Sequence, residues 1–134
     1  MRFDSQPTLV GNLVEARPLR APDYGALFAV GSDPLLWAQH QEPDRCQPAV
    51  FRASFRESLD SGGALLVIDG ATRDVIGSSR FHGYDEALSE VEIGWTFLAR
   101  SHWGGRYNGE LKGLMLRHAF RFVRSVIFYV RSPT

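Results

Sequence analysis

A glycine-containing basic turn between an apolar strand and an amphipathic helix constrains this chain most. Residues 91–98 are apolar at alternate positions, and after Gly104 and Gly105 apolar side chains recur at helical spacing. The first turn of a helix has unpaired amide N–H groups and the positive end of the helix dipole. Glycines let a ligand approach the main chain, and Arg100 and Arg106 add positive charge. The turn is therefore predicted to bind a phosphate, the alternative being a plain strand-to-helix connection.

Composition indicates one globular domain spanning residues 1–134, with 44 % apolar and 22 % charged residues. Basic and acidic residues number 15 each, and the zero net charge argues against nucleic-acid binding through bulk positive charge. The sequence shows neither a membrane-length apolar run nor a signal peptide, so a cytoplasmic protein with no membrane partner is predicted. Cys46 is the single cysteine and the histidines lack metal-ligand spacing, so no metal site is expected.

Hydrophobic periodicity predicts an α/β (α+β) fold in which strands and helices share one chain. Helices are predicted from Pro22-Asp23, around Leu35–Trp37, from Pro48 to Ser61, and after the glycine turn, with a loop at Pro43–Pro48. Strands are predicted around Asn12–Pro18, at Ala64–Ile68, at Val75–Phe81, at Glu90–Leu98 and at Val126–Val130, with a polar turn at Gly83–Ser89.

Two details of this pattern bear on the turn. In the strand Glu90–Leu98, alternation puts one set of side chains on one face (Val91, Ile93, Trp95, Phe97) and another set on the other (Glu90, Glu92, Gly94, Thr96). In the following helix, Gly109 and Gly113 each cost about 1 kcal/mol relative to alanine. Close approach of a backbone or a ligand is the expected reason for them.

The order strand, helix, helix, three-strand meander, helix, strand resembles the GNAT acyl-coenzyme A N-acetyltransferases. The family signature Arg/Gln-x-x-Gly-x-Gly/Ala, often Trp-Gly-x-Gly-Tyr in its bacterial protein and small-molecule branch, is similar to Arg100-Ser-His-Trp103-Gly104-Gly105-Arg106-Tyr107-Asn108. The preceding Glu92-Ile93-Gly94-Trp95 also looks like that branch. Arg106 stands where glycine is frequent, which leaves the backbone N–H in place.

The resemblance implies a GNAT-like mixed, mostly antiparallel central sheet flanked by helices. Family members continue after the fifth strand with a helix and two strands that have no counterpart here, so a C-terminally truncated version of the fold is expected. Without them the apolar strand Val126–Val130 has an unpaired edge. A second copy of the chain is expected to cover that edge, giving a homodimer.

The implied activity is transfer of an acetyl group from the cosubstrate acetyl-CoA to a primary amine, by direct attack on the thioester. The acceptor is a small molecule or a protein N-terminus. Alternatives are a catalytically silent coenzyme A-binding module or an inactive truncated GNAT domain. Pantetheine is expected to pair with the backbone of Phe97, Leu98 and Ala99, and the pyrophosphate to bind the turn. The implied cofactor-binding residues are Phe97, Leu98, Ala99, Arg100, Trp103, Gly104, Gly105, Arg106, Tyr107 and Asn108.

Glu92 is the predicted general base. It lies on the polar face of its strand, and Glu90 on the same face raises its affinity for a proton. The alternative is that both are solvated strand residues. Other candidates are weaker, and for most of them packing or ordinary surface placement is the favoured reading. They are His82 and His102 as proton shuttles, Tyr84 and Tyr129 as acids, Cys46 as a nucleophile, and Trp37 and Trp103 as acceptor-pocket walls.

Overall fold

Six strands form a single sheet in the computed structural model, which describes residues 3–38 and 43–128. Neighbouring strands are antiparallel except β5 and β6, which are parallel, so the predicted mixed, mostly antiparallel sheet is confirmed. The strands lie in the sheet in sequence order. They are β1 (Leu9–Val10), β2 (Val14–Pro18), β3 (Ala64–Asp69), β4 (Val75–Asp85), β5 (Glu90–Leu98) and β6 (Ser125–Phe128).

Three α-helices pack on the sheet: α1 (Tyr24–Gly31), α2 (Pro48–Ser61) and α3 (Tyr107–Ala119). Pro48 occupies the first turn of α2, where its missing N–H costs no helical hydrogen bond. The segment predicted as a loop contains a 3-10 helix, Pro43–Cys46. β4 continues to Asp85, beyond the predicted end at Phe81, and the Tyr84 ring stacks on Phe3 at 5.2 Å between centroids.

Apolar side chains are buried on both faces of the sheet. On one face, Leu65 and Val67 of β3 pack with Leu111 and Met115 of α3. On the other, Leu66 and Ile68 pack with side chains of α1 and α2. Because β3 is covered on both sides, its continuous apolar run reads as a buried strand, as the sequence predicted.

β5 contains a β-bulge at Trp95, whose φ is 52°. Phe97 pairs with Ser78 and Gly94 pairs with Arg80, so Trp95 and Thr96 together lie opposite Ser79. A bulge of this kind inserts one residue and reverses the faces of the side chains that follow.

The predicted alternation of β5 is therefore wrong beyond Ile93. Val91 and Ile93 lie in the core on the α3 face, but Phe97 packs against the core on the α1–α2 face. The Trp95 ring covers the guanidinium of Arg80, which pairs with α2. Period-2 reasoning missed this because the inserted residue is itself apolar and leaves no gap in the pattern.

Within the described part of the chain, no helix has the length and apolar character needed to cross a membrane. The predicted cytoplasmic location stays a prediction. Of the predicted strand Val126–Val130, residues 129 and 130 lie outside the described residues.

Candidate functional site

A cavity opens beside the C-terminal half of β5. Among the described residues, the parallel ladder runs from Glu90 opposite Ser125 to Ile93 opposite Phe128, the last described residue of β6. The cavity has a volume of about 490 Å³ and is walled by residues 93–98 of β5. On the α3 face it is lined by Trp103, Gly104, Asn108 and Lys112, and on the opposite face by Leu36, Trp37 and Arg45.

The turn before α3 presents unpaired amides at the mouth of this cavity. Gly104 has a φ of 72°, a left-handed conformation that favours glycine, whereas Arg106 has helical dihedrals and requires none. The first main-chain hydrogen bond of α3 runs from the Glu110 N–H to the Arg106 carbonyl at 2.9 Å. The six N–H groups of residues 104–109 have no acceptor among the described residues. Residues 104–106 are exposed, so no packed side chain seals these amides.

Side-chain hydrogen bonds fix the turn from the other side. The Trp103 indole N–H donates to the Leu98 carbonyl at 2.8 Å. His102 lies with Nε2 at 2.9 Å from Asp69 Oδ2 and Nδ1 at 2.8 Å from Ser101 Oγ. The His102 hydrogen bond is the main cause that holds the pKa of Asp69 below its usual value. His102 is thus a positioned residue in the cavity wall, and its partner 33 positions away gave no local signal.

Two of the predicted cofactor residues are engaged elsewhere. The Arg100 guanidinium pairs with the Asp33 carboxylate, and this hydrogen bond is the main cause that lowers the pKa of Asp33. Arg100 therefore ties the turn to the segment before the 3-10 helix Pro34–Leu36. The Ala99 N–H donates to the Ile76 carbonyl at 2.7 Å, so that amide is not available to a ligand. The Ala99 carbonyl accepts from the His102 N–H at 2.8 Å, so both main-chain groups of Ala99 have partners within the protein, and its pairing with pantetheine stays a prediction.

The remaining predicted cofactor residues converge on one place. Trp103, Gly104 and Asn108 line the cavity with Phe97 and Leu98. Gly105, Arg106 and Tyr107 do not line it, but they carry unpaired amides of the same turn.

Glu92 lies beside the cavity rather than in its wall. It is half-buried, faces away from α3, and is opposite His82 on β4 and Ile127 on β6. Its carboxylate has neither a hydrogen bond nor an ion pair among the described residues. The His82 ring contacts the Trp95 ring edge-to-face at 4.8 Å, so His82, Trp95 and Glu92 share one face.

The other candidates have packing roles or lie elsewhere. Tyr84 packs in the core against Phe3. Trp37 is 2 % exposed, donates its indole N–H to the Gly31 carbonyl at 2.7 Å and also walls the cavity. Cys46 contacts its local Pro43 carbonyl and packs against the core on the α1–α2 face. Tyr129 lies outside the described residues, and within them no group of three His, Cys, Asp or Glu is placed to hold a metal ion.

Sequence reasoning missed Lys112, Arg45 and Phe128. Lys112 is the only lysine of the chain, and its ammonium lies 5.4 Å from the centroid of the Phe128 ring at the inner end of the cavity. Its position four residues after Asn108 puts both on one helix face, a signal that the sequence did contain. Arg45 comes from a distant segment, and no local pattern indicates it.

Glu110 fixes the start of α3 on the sheet. Its carboxylate accepts hydrogen bonds from the amides of Leu13 at 2.7 Å and Val14 at 2.8 Å. Burial raises the pKa of Glu110, but these amide donors outweigh it and hold the pKa below its usual value. These hydrogen bonds hold α3, whose first turn carries the unpaired amides, against the start of β2.

Comparison with known proteins agrees with this geometry. A family model described as an acetyltransferase (GNAT) domain matches residues 14–132. A GCN5-related N-acetyltransferase from Brucella melitensis superposes with a TM-score of 0.77 at 22 % identity, over 88 % of this chain and 56 % of that chain. This chain thus spans little more than half of the Brucella protein. No curated protein matches the chain.

Two further solved structures hold cofactor. RimL, a ribosomal L7/L12 alpha-N-protein acetyltransferase in complex with coenzyme A, has a TM-score of 0.73 at 17 % identity, over 91 % of this chain and 73 % of its own. The microcin C7 self-immunity acetyltransferase MccE, in complex with acetyl-CoA and AMP, has a TM-score of 0.75 at 10 % identity, over 93 % and 74 %. At such identities the likeness shows the shared fold.

Proposed function

Because the chain belongs to the GNAT acetyltransferase family, we propose that it transfers an acetyl group from acetyl-CoA to a primary amine. One observation carries the proposal: six consecutive amides, of residues 104–109, have no acceptor among the described residues and stand at the mouth of a cavity walled by residues 93–98 of β5. A diphosphate needs several converging N–H donors, and the start of a helix supplies them with a favourable dipole. In this proposal, residues 1–134 form a single acetyl-CoA-binding domain.

The cavity fits the rest of the cosubstrate. We assign the diphosphate to the amides of residues 104–109 and the pantetheine arm to the edge of residues 94–98, where main-chain groups can pair with its amides as a strand would. Asn108 and Lys112 add polar groups on the α3 side. Acetyl-CoA supplies the activated acetyl group when bound.

The acceptor amine is assigned to the opposite face, between the sheet and the segment that carries Leu36, Trp37 and Arg45. Glu92 faces that side, and its carboxylate has the free acceptor oxygens that removal of a proton from an ammonium requires. No protein nucleophile is needed, because the amine attacks the thioester directly once both are held in place.

Binding of coenzyme A, measured by calorimetry, tests the first half of the proposal. Gly105→Asp places a carboxylate beside the unpaired amides and should weaken binding by about tenfold or more. Gly105→Ala is the matched control, since an added Cβ meets only the Tyr107 ring at 3.8 Å, an ordinary contact. Equal affinities for the two variants would contradict the assigned diphosphate site.

Release of coenzyme A thiol across an amine panel tests the second half. Glu92→Gln should reduce kcat by about 10²-fold or more with the affinity for coenzyme A unchanged. Full activity of this variant would show that the base lies elsewhere. Tight binding with no turnover of any amine would favour a coenzyme A-binding module instead.

A further inference from the structure

Arg80 is a buried cation beside the acceptor face of the cavity. It lies on β4 opposite Gly94 of β5, next to the bulge, and is 2 % exposed. The Trp95 ring covers its guanidinium at 3.7 Å.

The charge of Arg80 is only weakly compensated. Among the described residues its one ion pair is with Glu57 Oε1 at 3.3 Å, and the Glu57 side chain is 69 % exposed, so water screens that pair. A guanidinium has five N–H donors, and Nε of Arg80 is buried with no hydrogen-bond partner in the described chain. Buried charged groups are normally paired and fully hydrogen-bonded, so the Arg80 guanidinium has donor capacity that an anion can use.

A small second cavity, of about 20 Å³, adjoins Arg80. Ser54 and Ser58 of α2 line it together with Arg80, and hydroxyls add to the guanidinium as donors for an anion. The larger cavity and this one share Arg45, Trp95 and Phe97 in their walls. Because these three residues belong to both walls, the two cavities adjoin each other at the Trp95 ring.

We propose that the acceptor is an amine that also carries a carboxylate, and that Arg80 binds this carboxylate and determines specificity. The inference rests on the proposed acetyl transfer and names its substrate class: amino acids or short peptides bearing a carboxylate near the amine. Polyamines are disfavoured, because their second ammonium would meet a buried guanidinium.

The reaction balances without the carboxylate. The acceptor nitrogen forms a bond to the acetyl carbon, and the thioester C–S bond breaks. The ammonium loses one proton to the base before attack, and the nitrogen loses a second as the tetrahedral intermediate collapses. Coenzyme A takes up one proton and leaves as the thiol, so one proton is released overall. The carboxylate stays ionised throughout, so Arg80 orients the acceptor and takes no part in bond changes.

Three acceptors with increasing spacing test the inference: glycine, β-alanine and 4-aminobutyrate, each compared with its own carboxamide. For at least one spacing, wild-type kcat/KM should favour the acid over its amide by about 10- to 100-fold, the range expected for hydrogen bonds to a charged group. The gain should appear mainly in KM. Acids no better than amides at every spacing would overturn the inference.

Arg80→Gln should bring the acid-to-amide ratio to within about threefold of one, by loss of the same charged hydrogen bonds. Arg52→Gln is the matched control, because Arg52 is an exposed arginine of α2 whose guanidinium stacks over Tyr24, 5.4 Å from the ring centroid. A folded Arg80→Gln that keeps the acid preference would overturn the inference. If circular dichroism shows this variant unfolded, the wild-type acid and amide ratios decide.

Equilibrium binding separates this inference from the proposed function. The N-acetyl products of the three acids and their carboxamides are titrated by calorimetry, and coenzyme A in parallel. Preferential binding of one acid supports the Arg80 site whether or not turnover occurs. Binding of coenzyme A with no acid preference overturns the Arg80 site alone, and failure to bind coenzyme A overturns the proposed transferase alone.

Discussion

The two halves of β5 have the same kind of sequence but different structural roles. Residues 90–93 are paired on both edges, to β4 and to β6, and Val91 and Ile93 are each 1 % exposed. Residues 94–98 are paired to β4 alone in the described chain, and they wall the cavity. The first half belongs to the core of the sheet, and the second half lines the candidate site.

The difference begins at one residue. The bulge at Trp95 changes the register to β4 and the faces of the side chains after it. Beyond this point residues 94–98 wall the cavity, and the Leu98 carbonyl already accepts from the Trp103 indole N–H. Pantetheine is the proposed occupant beside this part of the strand.

Ile93→Ala, in the half of β5 that pairs with both β4 and β6, should have the largest effect on stability. Removing a buried branched side chain leaves a cavity in the core and should lower the free energy of unfolding by about 2–5 kcal/mol. Ile127→Ala, at a position 47 % exposed on the adjoining strand, should change it by less than about 0.5 kcal/mol. Urea denaturation of both variants measures the contrast, and similar losses would show that this half of β5 is not where stability resides.

β6 pairs with residues 90–93 of β5 and is the last strand of the described sheet, so its other edge offers a second test of the comparison. Ile127 and Phe128 are 47 % and 37 % exposed, and we predict that a second copy of the chain covers them. Light scattering at micromolar concentration should give twice the 15.0 kDa chain mass. Ile127→Lys should return the mass to that of one chain, and a monomeric wild type would refute the homodimer.

Glu110 holds α3, which lines the cavity together with the second half of β5, on β2. Its contribution to the free energy of unfolding depends on pH. Its pKa is lowered on folding, so its stabilisation is complete above the unfolded pKa of about 4.3 and is lost as pH falls through the folded value. Glu110→Gln should cost about 1–2 kcal/mol at pH 7 and progressively less below pH 4. Urea midpoints at pH 7, 5, 4 and 3 test this, and a cost independent of pH would exclude the charge as its source.

Gly113→Ala should give the smallest effect, a gain of about 1 kcal/mol in unfolding free energy, because alanine favours the helix. At both Gly113 and Gly109 an added Cβ meets nothing within 4 Å, so the expected close approach by protein backbone is not found. The other expected reason for these glycines is close approach of a ligand. Thermal unfolding and coenzyme A calorimetry of both alanine variants test it. Only Gly109→Ala, next to the unpaired amides, should weaken coenzyme A binding, and equal losses in both would refute this assignment.

Much of the site was predictable because its signals are local. The glycine turn, the amphipathic helix and the polar face with Glu92 all lie between residues 92 and 119, and local chemistry decided their element types. The family and the sheet class followed from these elements and were confirmed. The partners of Arg100 and His102 could not be predicted, because Asp33 and Asp69 are 67 and 33 positions away.

The sequence by itself determined which segments become strands and helices and where helix amides are left without acceptors, since periodicity and the start of a helix are properties of neighbouring residues. Tertiary structure alone decided the rest. The bulge at Trp95 depends on how β4 and β5 align, and the cavity depends on how β5, α3 and the segment with Trp37 and Arg45 meet. The burial of Arg80 depends on α2 and Trp95 meeting over β4. Each of these is a relation between distant segments, and the free energy that settles it comes from packing the whole sheet rather than from any one stretch of chain.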